Sequence, residues 1–327
     1  MSITRQNLSV IIVSYRSDHV IENCITSIDS EIEIVVVDNN SNDGSSEKLQ
    51  LIQDENFRYF RFNENIGSSR ANNYGIKKSN GEFIYILNAD VFLAPNCIEL
   101  LYNATKVDRK IGTFTGKLLS DKDNSKIDTT GIVIYKEGVC AERGIGELDN
   151  GQYDQDEYIA GACCAAALYR KEMLEDIKYE EEYFDEDMFA FVEDADLSML
   201  SMLLGWKTYF VADAIGYHVR GGSTSDVSDF VQFLSVRNSE LSYRKLLRSN
   251  VSFKCHHSIL YLLRYITVDK KLRIKINTDI SLLSQKFREK HDFFENRLYF
   301  EYMKPFISQS YVLKRLKDII LPKVINR

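Results

Sequence analysis

The sequence has little of what would place it in an unusual class. Three prolines in 327 residues leave no proline-rich linker between domains. Six cysteines, at 24, 97, 140, 163, 164 and 255, form no CxxC pair and no zinc-ligand spacing. Scattered thiols of this kind fit a reducing compartment rather than a disulfide framework. No apolar run approaches the roughly 20 residues a membrane-spanning helix needs. The opening MSITRQNLSV lacks a signal-peptide profile, so a cytoplasmic location is the expectation. There is no GxxxxGK[ST] loop, and no GxGxxG follows the first strand-like run. A nucleotide diphosphate bound here must have its charge met in another way, and strand-end carboxylates holding Mg²⁺ or Mn²⁺ would do so.

What is present is a globular composition, 44% hydrophobic and 27% charged, with an uneven distribution of charge. Residues 241–327 carry 19 Lys and Arg against 7 Asp and Glu, a net +12, which leaves −19 on the rest of a chain whose total is −7. A basic tail on an acidic body suggests an anionic surface as its partner, or simply attraction between the two halves. Nucleic acid is not expected, because the acidic body would repel it and no recognition motif occurs.

The N-terminal third alternates between strand and helix patterns. LSVIIVSY (8–15), EIEIVVVD (31–38), FRYFRF (57–62) and FIYILNAD (83–90) read as strands. Between them lie helical spacings at 18–28, near 47–53 and from about 68. Such alternation implies parallel βαβ units, and open sheets of this kind bind ligands beyond the carboxyl ends of their strands. Asp38 and Asp90 both fall at such ends. A helix cap does not account for Asp90, since Pro95 reads as the first helical residue with Ala94 at the cap. Further on, 112–119, 131–135 and 207–219 read as strands, and 192–205 as a helix stopped by Gly205. The chain after about 228 is mostly helical.

Four stretches, taken in order, resemble the inverting family-2 glycosyltransferases: VVVDNNSNDGS (35–45), NENIGSSRANNYGI (63–76), LNAD (87–90) and FDEDMFAFVEDADL (184–197). IAGACCAAALYRKEML (159–174) and IGYHVRGGST (215–224) are similar to the subgroup described as rhamnosyltransferase-like, which builds bacterial surface polysaccharides. The resemblance spans about residues 8–245. It implies an α/β fold of the GT-A nucleotide-sugar type, with a mostly parallel central sheet flanked by helices. The expected division is a catalytic domain over 1–240 and a basic helical extension over 241–327.

By the same resemblance Asp38 contacts the nucleotide base, although an Asx turn opening the 39–44 loop is a local alternative. Tyr15, Asn65, Arg70 and Asn73 belong with the donor nucleoside, and Arg70 could equally be a solvated helix charge. Asn88-Ala89-Asp90 stands where the family has D-x-D, with Asp90 as metal ligand and Asn88 in place of the first acid. One carboxylate fewer calls for a second ligand, and His218 fits, imidazole being suited to Mn²⁺. Asp194 is implied as the base that deprotonates the acceptor hydroxyl, with Glu193 and the loop around Gly161 toward the acceptor. Acids in a first helical turn are also stabilised by the helix dipole alone.

The sequence departs from the EDxDLxxR pattern of many relatives at Leu200. Arg220 or Arg237 could supply the missing cation, and Arg237 is counted with the donor residues. No QxxRW occurs, against a processive synthase.

The reaction implied is a metal-dependent single displacement. It moves a sugar from a UDP- or dTDP-linked donor to a glycan or polyprenyl-diphosphate-linked acceptor in polysaccharide assembly. Nucleotidyltransferases share a similar sheet, but usually carry a glycine-rich loop where this chain has SYRSDHV. A non-catalytic glycan binder is a third reading, opposed by Asp90, Asp194 and His218 occurring together. In the tail, SFKCHHSILYLLRYITVDKKLRIKI and SYVLKRLKDIILPKV mix Leu, Ile and Tyr with Lys and Arg. That pattern suits peripheral contact with the inner face of the plasma membrane, or else a packed appendage or homodimer interface.

Overall fold

The computed structural model describes residues 7–220, 228–312 and 314. Four parallel strands form the N-terminal half of the main sheet: β1 (Leu8–Ser14), β2 (Glu33–Asp38), β3 (Phe57–Arg61) and β4 (Phe83–Asn88). β1 is the switch point, with β2 then β3 on one side and β4 on the other. Helices α1 (Ile21–Thr26), α2 (Ser45–Gln50) and α3 (Ser68–Lys78) make the crossovers. Consecutive strand residues are buried in opposite clusters: Val10, Ile12, Val36 and Tyr85 in one, Ile11, Val35, Ile84 and Ile86 in the other. Burial on both faces explains why these strands read as continuous apolar runs.

FIYILNAD does not simply stop. After Asp90 the chain forms β5 (Val91–Leu93) and then α4 (Cys97–Ala104). The cap of α4 is Asn96, in the left-handed region at φ 65°, not Ala94. Pro95 therefore precedes the helix instead of opening it.

The second half of the sheet contains β6 (Ile111–Ser120), β7 (Asp123–Thr129), β10 (Glu157–Ile159), β11 (Ala166–Arg170) and β12 (Lys207–His218). Parallel pairing returns between β6 and β12. β11 enters antiparallel between β4 and β6. A small separate sheet joins β8 (Ile132–Tyr135), β9 (Cys140–Glu142) and β13 (Ile307–Ser308). Helices α5 (Lys171–Ile177) and α6 (Glu193–Leu203) cover the sheet.

The C-terminal region consists mainly of α7 (Ser228–Leu246), α8 (Val251–Thr267) and α9 (Lys270–Phe294). No break falls at residue 240, because α7 runs straight through it. Lys245 of α7 is buried, with Nζ 3.0 Å from Asp185 and also paired with Asp196. Lys290 of α9 is buried as well, at 2.6 Å from Asp185 and 3.1 Å from both Asp187 and Glu182. Phe294 and Met303 join the same apolar cluster as Leu197 and Leu200 of α6. Oppositely charged parts of the chain thus meet inside the fold, lysines of α7 and α9 closing over acids before and within α6. Among the described residues no helix is long and apolar enough to cross a membrane. The 221–224 end of one quoted stretch, and most of SYVLKRLKDIILPKV, lie outside the described residues.

Candidate active site

Beyond the carboxyl ends of β1, β2 and β4 lies a cavity of about 780 Å³, within the range of small-ligand sites. Eight of the residues singled out in the sequence line it: Tyr15, Asn65, Asn88, Asp90, Glu193, Asp194, His218 and Arg220. Asp38, Arg70, Asn73, Gly161 and Arg237 do not.

The acid pair is placed by a strained turn. Phe189, Phe191 and Val192 all have positive φ, at 65°, 66° and 72°, a conformation costly for bulky residues. Asn238 of α7 holds this turn by donating to the carbonyls of Met188, Ala190 and Phe191 at 2.9, 2.9 and 2.7 Å. Arg237 donates to the carbonyls of Asp187 and Met188 and to Asp279. The Arg-Asn pair is therefore scaffold, and its guanidinium is spent on the chain's own carbonyls rather than aimed at a donor. Asn73 acts similarly, accepting from the N–H groups of Tyr183 and Phe184 and donating to the Phe184 carbonyl and Glu186.

Close backbone approach completes the placement. A Cβ on Gly67 would meet the Phe189 carbonyl at 2.4 Å, so α3 and the strained turn can touch only at a glycine. Gly161 lies under α6, where a Cβ would stand 2.4 Å from that of Ser198. This proximity brings the 162–164 segment to α6, and the Cys164 N–H reaches Asp194 Oδ2 at 3.4 Å. The Ala195 N–H reaches Asp194 Oδ1 at 2.7 Å.

Glu193 accepts a hydrogen bond from Ser68 Oγ at 2.6 Å, while its other oxygen, Oε2, is buried without a partner. Burial, and secondarily the charge of Asp194, raise Glu193 to about 7. Burial also raises Asp194, against the N–H groups that favour its charged form. Two adjacent half-buried carboxyls at the entrance of a helix, one with a buried oxygen left open, are suited to taking up a proton.

Opposite them, His218 at the end of β12 is held between two acids. Nε2 is 3.2 Å from Asp90 Oδ1, and Nδ1 is 2.8 Å from Asp128 Oδ2. Burial disfavours the imidazolium, but the hydrogen bonds to Asp128 and Asp90 outweigh it and raise His218 to about 9. The pairing follows from the backbone: β5 runs antiparallel to β12, and the Val219 N–H binds the Asp90 carbonyl at 3.0 Å. Asp128 also binds Arg220, whose other arm reaches Glu142. Both Arg220 and Glu142 line the cavity. Burial raises the Glu142 carboxyl in spite of that cation.

The Asp90–His218 edge suits a divalent cation. Two neighbouring ligands of an octahedral ion with bonds of 2.0–2.1 Å lie about 3 Å apart, close to the separation observed here. With only two protein ligands, the other positions would fall to diphosphate oxygens and water, as is usual for Mg²⁺. A tighter acidic group, Glu182, Asp185 and Asp187, is already neutralised by Lys290 and Lys286.

Asp38 departs from its expected role. It is fully buried and accepts from the Ser41 N–H at 2.8 Å, Tyr59 Oη at 2.6 Å and Ser46 Oγ, so its carboxylate is consumed by the turn after β2. Its neighbour Asn39 lines the cavity instead, bonded to Asn65 at 2.8 Å. Arg70 is on the exterior, 3.6 Å from Glu186. Sequence reading missed Arg16, Asn39, Ser68 and Glu142 as lining residues and Asp128 as the partner of His218. Asn39 adjoins Asp38 in NNSND, the one signal that could have found it. Glu142 and Asp128 sit on short strands without a readable period.

A family model described as Glycosyl transferase family 2 matches residues 9–178. N-acetylglucosaminyltransferases of Mesorhizobium japonicum and Rhizobium meliloti are 26% and 25% identical to this chain. Each match covers 64% of this chain and 50% of the relative, so the chain spans about half the length of the curated relatives it matches. The crystal structure of GalNAc-T7 with UDP, GalNAc and Mn²⁺ superposes with a TM-score of 0.63 at 14% identity, covering 96% of this chain and 57% of that one. Residues 1–349 of S. aureus TarS in complex with UDP-GlcNAc give a TM-score of 0.55, also at 14% identity, over 90% of this chain and 93% of that one. At such identities the likeness establishes the fold, which is GT-A. With the family model spanning more than half of the residues and strand-end acids facing one cavity, this chain belongs to glycosyl transferase family 2.

Proposed function

We propose that the protein is a metal-dependent, inverting, non-processive glycosyltransferase. It would take a nucleoside-diphosphate sugar as donor and a hydroxyl of a glycan or polyprenyl-diphosphate-linked saccharide as acceptor. The observation that carries the reading is the arrangement of Asp194 and the Asp90–His218 edge on one cavity. Tyr15, Asn39 and Asn65 lie at the nucleoside end. Asp90 and His218 would hold a divalent cation, which supplies positive charge to the departing diphosphate. Asp194 receives the acceptor proton as the acceptor oxygen bonds to the anomeric carbon and the bond from that carbon to the diphosphate oxygen breaks. One base and no protein nucleophile give inversion. Glu193 orients the acceptor side, and Arg220 offers a second positive charge on the cavity wall.

The N-acetylglucosaminyltransferase relatives support a UDP-linked N-acetylhexosamine as donor. The rhamnosyltransferase-like stretches support a dTDP-linked deoxyhexose. A panel of nucleotide sugars, assayed by calorimetry and by slow hydrolysis with and without Mn²⁺, decides between them. Absence of binding by every member would sink the transferase reading. Peripheral attachment to the inner face of the plasma membrane is part of the proposal. Val251, Ile259 and Leu262 stand 74%, 59% and 58% exposed along α8 beside exposed Lys254, a face suited to an anionic leaflet. Co-sedimentation with anionic vesicles tests it. Since Lys245 of α7 and Lys290 of α9 are built into the fold, the comparison is the full chain against Val251→Asp/Ile259→Asp, with nothing removed; equal binding by both would remove the membrane contact.

A further inference from the structure

We infer that Asp128 is the positioning residue for the cation edge, fixing His218 so that Nε2 faces Asp90. The inference rests on the donor-and-cation reading above. An imidazole can present either nitrogen, and which one is available depends on the hydrogen bond made by the other. Here Asp128 Oδ2 takes His218 Nδ1 at 2.8 Å, leaving Nε2 at 3.2 Å from Asp90.

Asp128 is well placed for this task. It is 5% exposed and belongs to β7, whereas His218 ends β12, with β6 between the two strands. Its own orientation is set independently of the histidine, because Arg220 binds both carboxylate oxygens, Nε at Oδ1 and Nη2 at 3.3 Å from Oδ2. Arg220 is anchored in turn by Glu142 of β9. The ring is therefore steered by a carboxylate that is itself clamped. If Asp128 served only to pair Arg220, its removal would be felt equally with and without the imidazole.

That difference is the test. Mn²⁺ affinity is measured on the full chain in the presence of UDP, by the electron paramagnetic resonance signal of free Mn²⁺. Wild type is compared with Asp128→Ala, Asp128→Asn, His218→Ala and the double variant Asp128→Ala/His218→Ala. Asp128→Ala should weaken Mn²⁺ binding by about 10–100-fold. Asp128→Asn keeps an oxygen that accepts the Nδ1–H and should stay within about tenfold of wild type. In the His218→Ala background, Asp128→Ala should cause no further loss. Unchanged affinity in Asp128→Ala, or the same loss in both backgrounds, would overturn the assignment. Should Asp128→Ala fail to fold, a loss beyond tenfold in folded Asp128→Asn overturns it equally. Weakening by His218→Ala alone would leave the cation site standing and remove only Asp128. No Mn²⁺ binding by wild type would overturn the cation reading and this inference with it.

Discussion

Ser68 donates its hydroxyl to Glu193 across 2.6 Å, tying the first residue of α3 to the first residue of α6. It satisfies one carboxylate oxygen and leaves the other buried and open. The folded protein therefore favours the protonated form of Glu193, with a pKa of about 7 against an ordinary 4.5. For an acid raised in this way the stabilisation is complete below the unfolded pKa and is lost as pH rises through the folded one. Unfolding free energy should fall between about pH 4.5 and 7, by an amount on the order of 3 kcal/mol. Urea denaturation at pH 5 and 7.5 measures it, and Glu193→Gln should flatten that part of the profile.

Asp194→Asn keeps an oxygen for the closer Ala195 N–H, gives up the longer contact with the Cys164 N–H, and cannot accept a proton at pH 7. Transfer should drop by about 10²–10⁴-fold, with donor affinity by calorimetry unchanged. Full transfer by the variant would remove Asp194 as the base.

Asn238→Ala removes three hydrogen bonds from the strained turn and leaves the Ala190 and Phe191 carbonyls without their side-chain donor, Met188 keeping that of Arg237. At about 1 kcal/mol for each hydrogen bond, a stability loss of about 2–4 kcal/mol is expected. Transfer should fall further than donor affinity, because the turn delivers the acid pair and not the nucleoside end. A variant with wild-type melting temperature and rate would show that the turn holds itself.

Gly161→Ala drives a methyl into Ser198 at 2.4 Å and should cost about 1–3 kcal/mol, as overpacking does. Ser198→Gly in the same chain removes the clashing atom. The double variant should regain part of the lost melting temperature beyond the sum of the single effects.

The N-terminal half was legible because its strands are buried on both faces, so their apolar runs stand out without any knowledge of neighbours. Asp90, Glu193, Asp194 and His218 were legible because a strand end or a helix start placed each beside the cavity. Asn73 and Arg237 misled for one physical reason: a polar side chain in sequence does not reveal whether its partner is a ligand or the chain's own carbonyl. Asp38 misled in the same way, its carboxylate being taken by the Ser41 N–H and the hydroxyls of Ser46 and Tyr59. Asp128 and Glu142 were invisible because their meaning depends on which strands β6, β8 and β12 bring together, and no local pattern encodes that pairing. Pro95 was read from a positional preference, and left-handed Asn96 overrode it.

The buried contacts of Lys245 and Lys290 bear on the order in which the protein is made. Asp185 and Asp196 leave the ribosome about 50 to 100 residues before the lysines that neutralise them. Until α9 has emerged, Lys245 of α7 is the one cation among the described residues against Asp185 and Asp196, and Lys290 is not yet there to offset the repulsion among Glu182, Asp185 and Asp187. The nascent chain should therefore keep this segment open to protease until synthesis passes residue 290. An arrested chain of 250 residues and the released full chain, probed by limited proteolysis, would be cut near 185–196 only in the former. On this account the helix carrying Asp194 is among the last parts of the molecule to mature, although its sequence is translated well before that of α9.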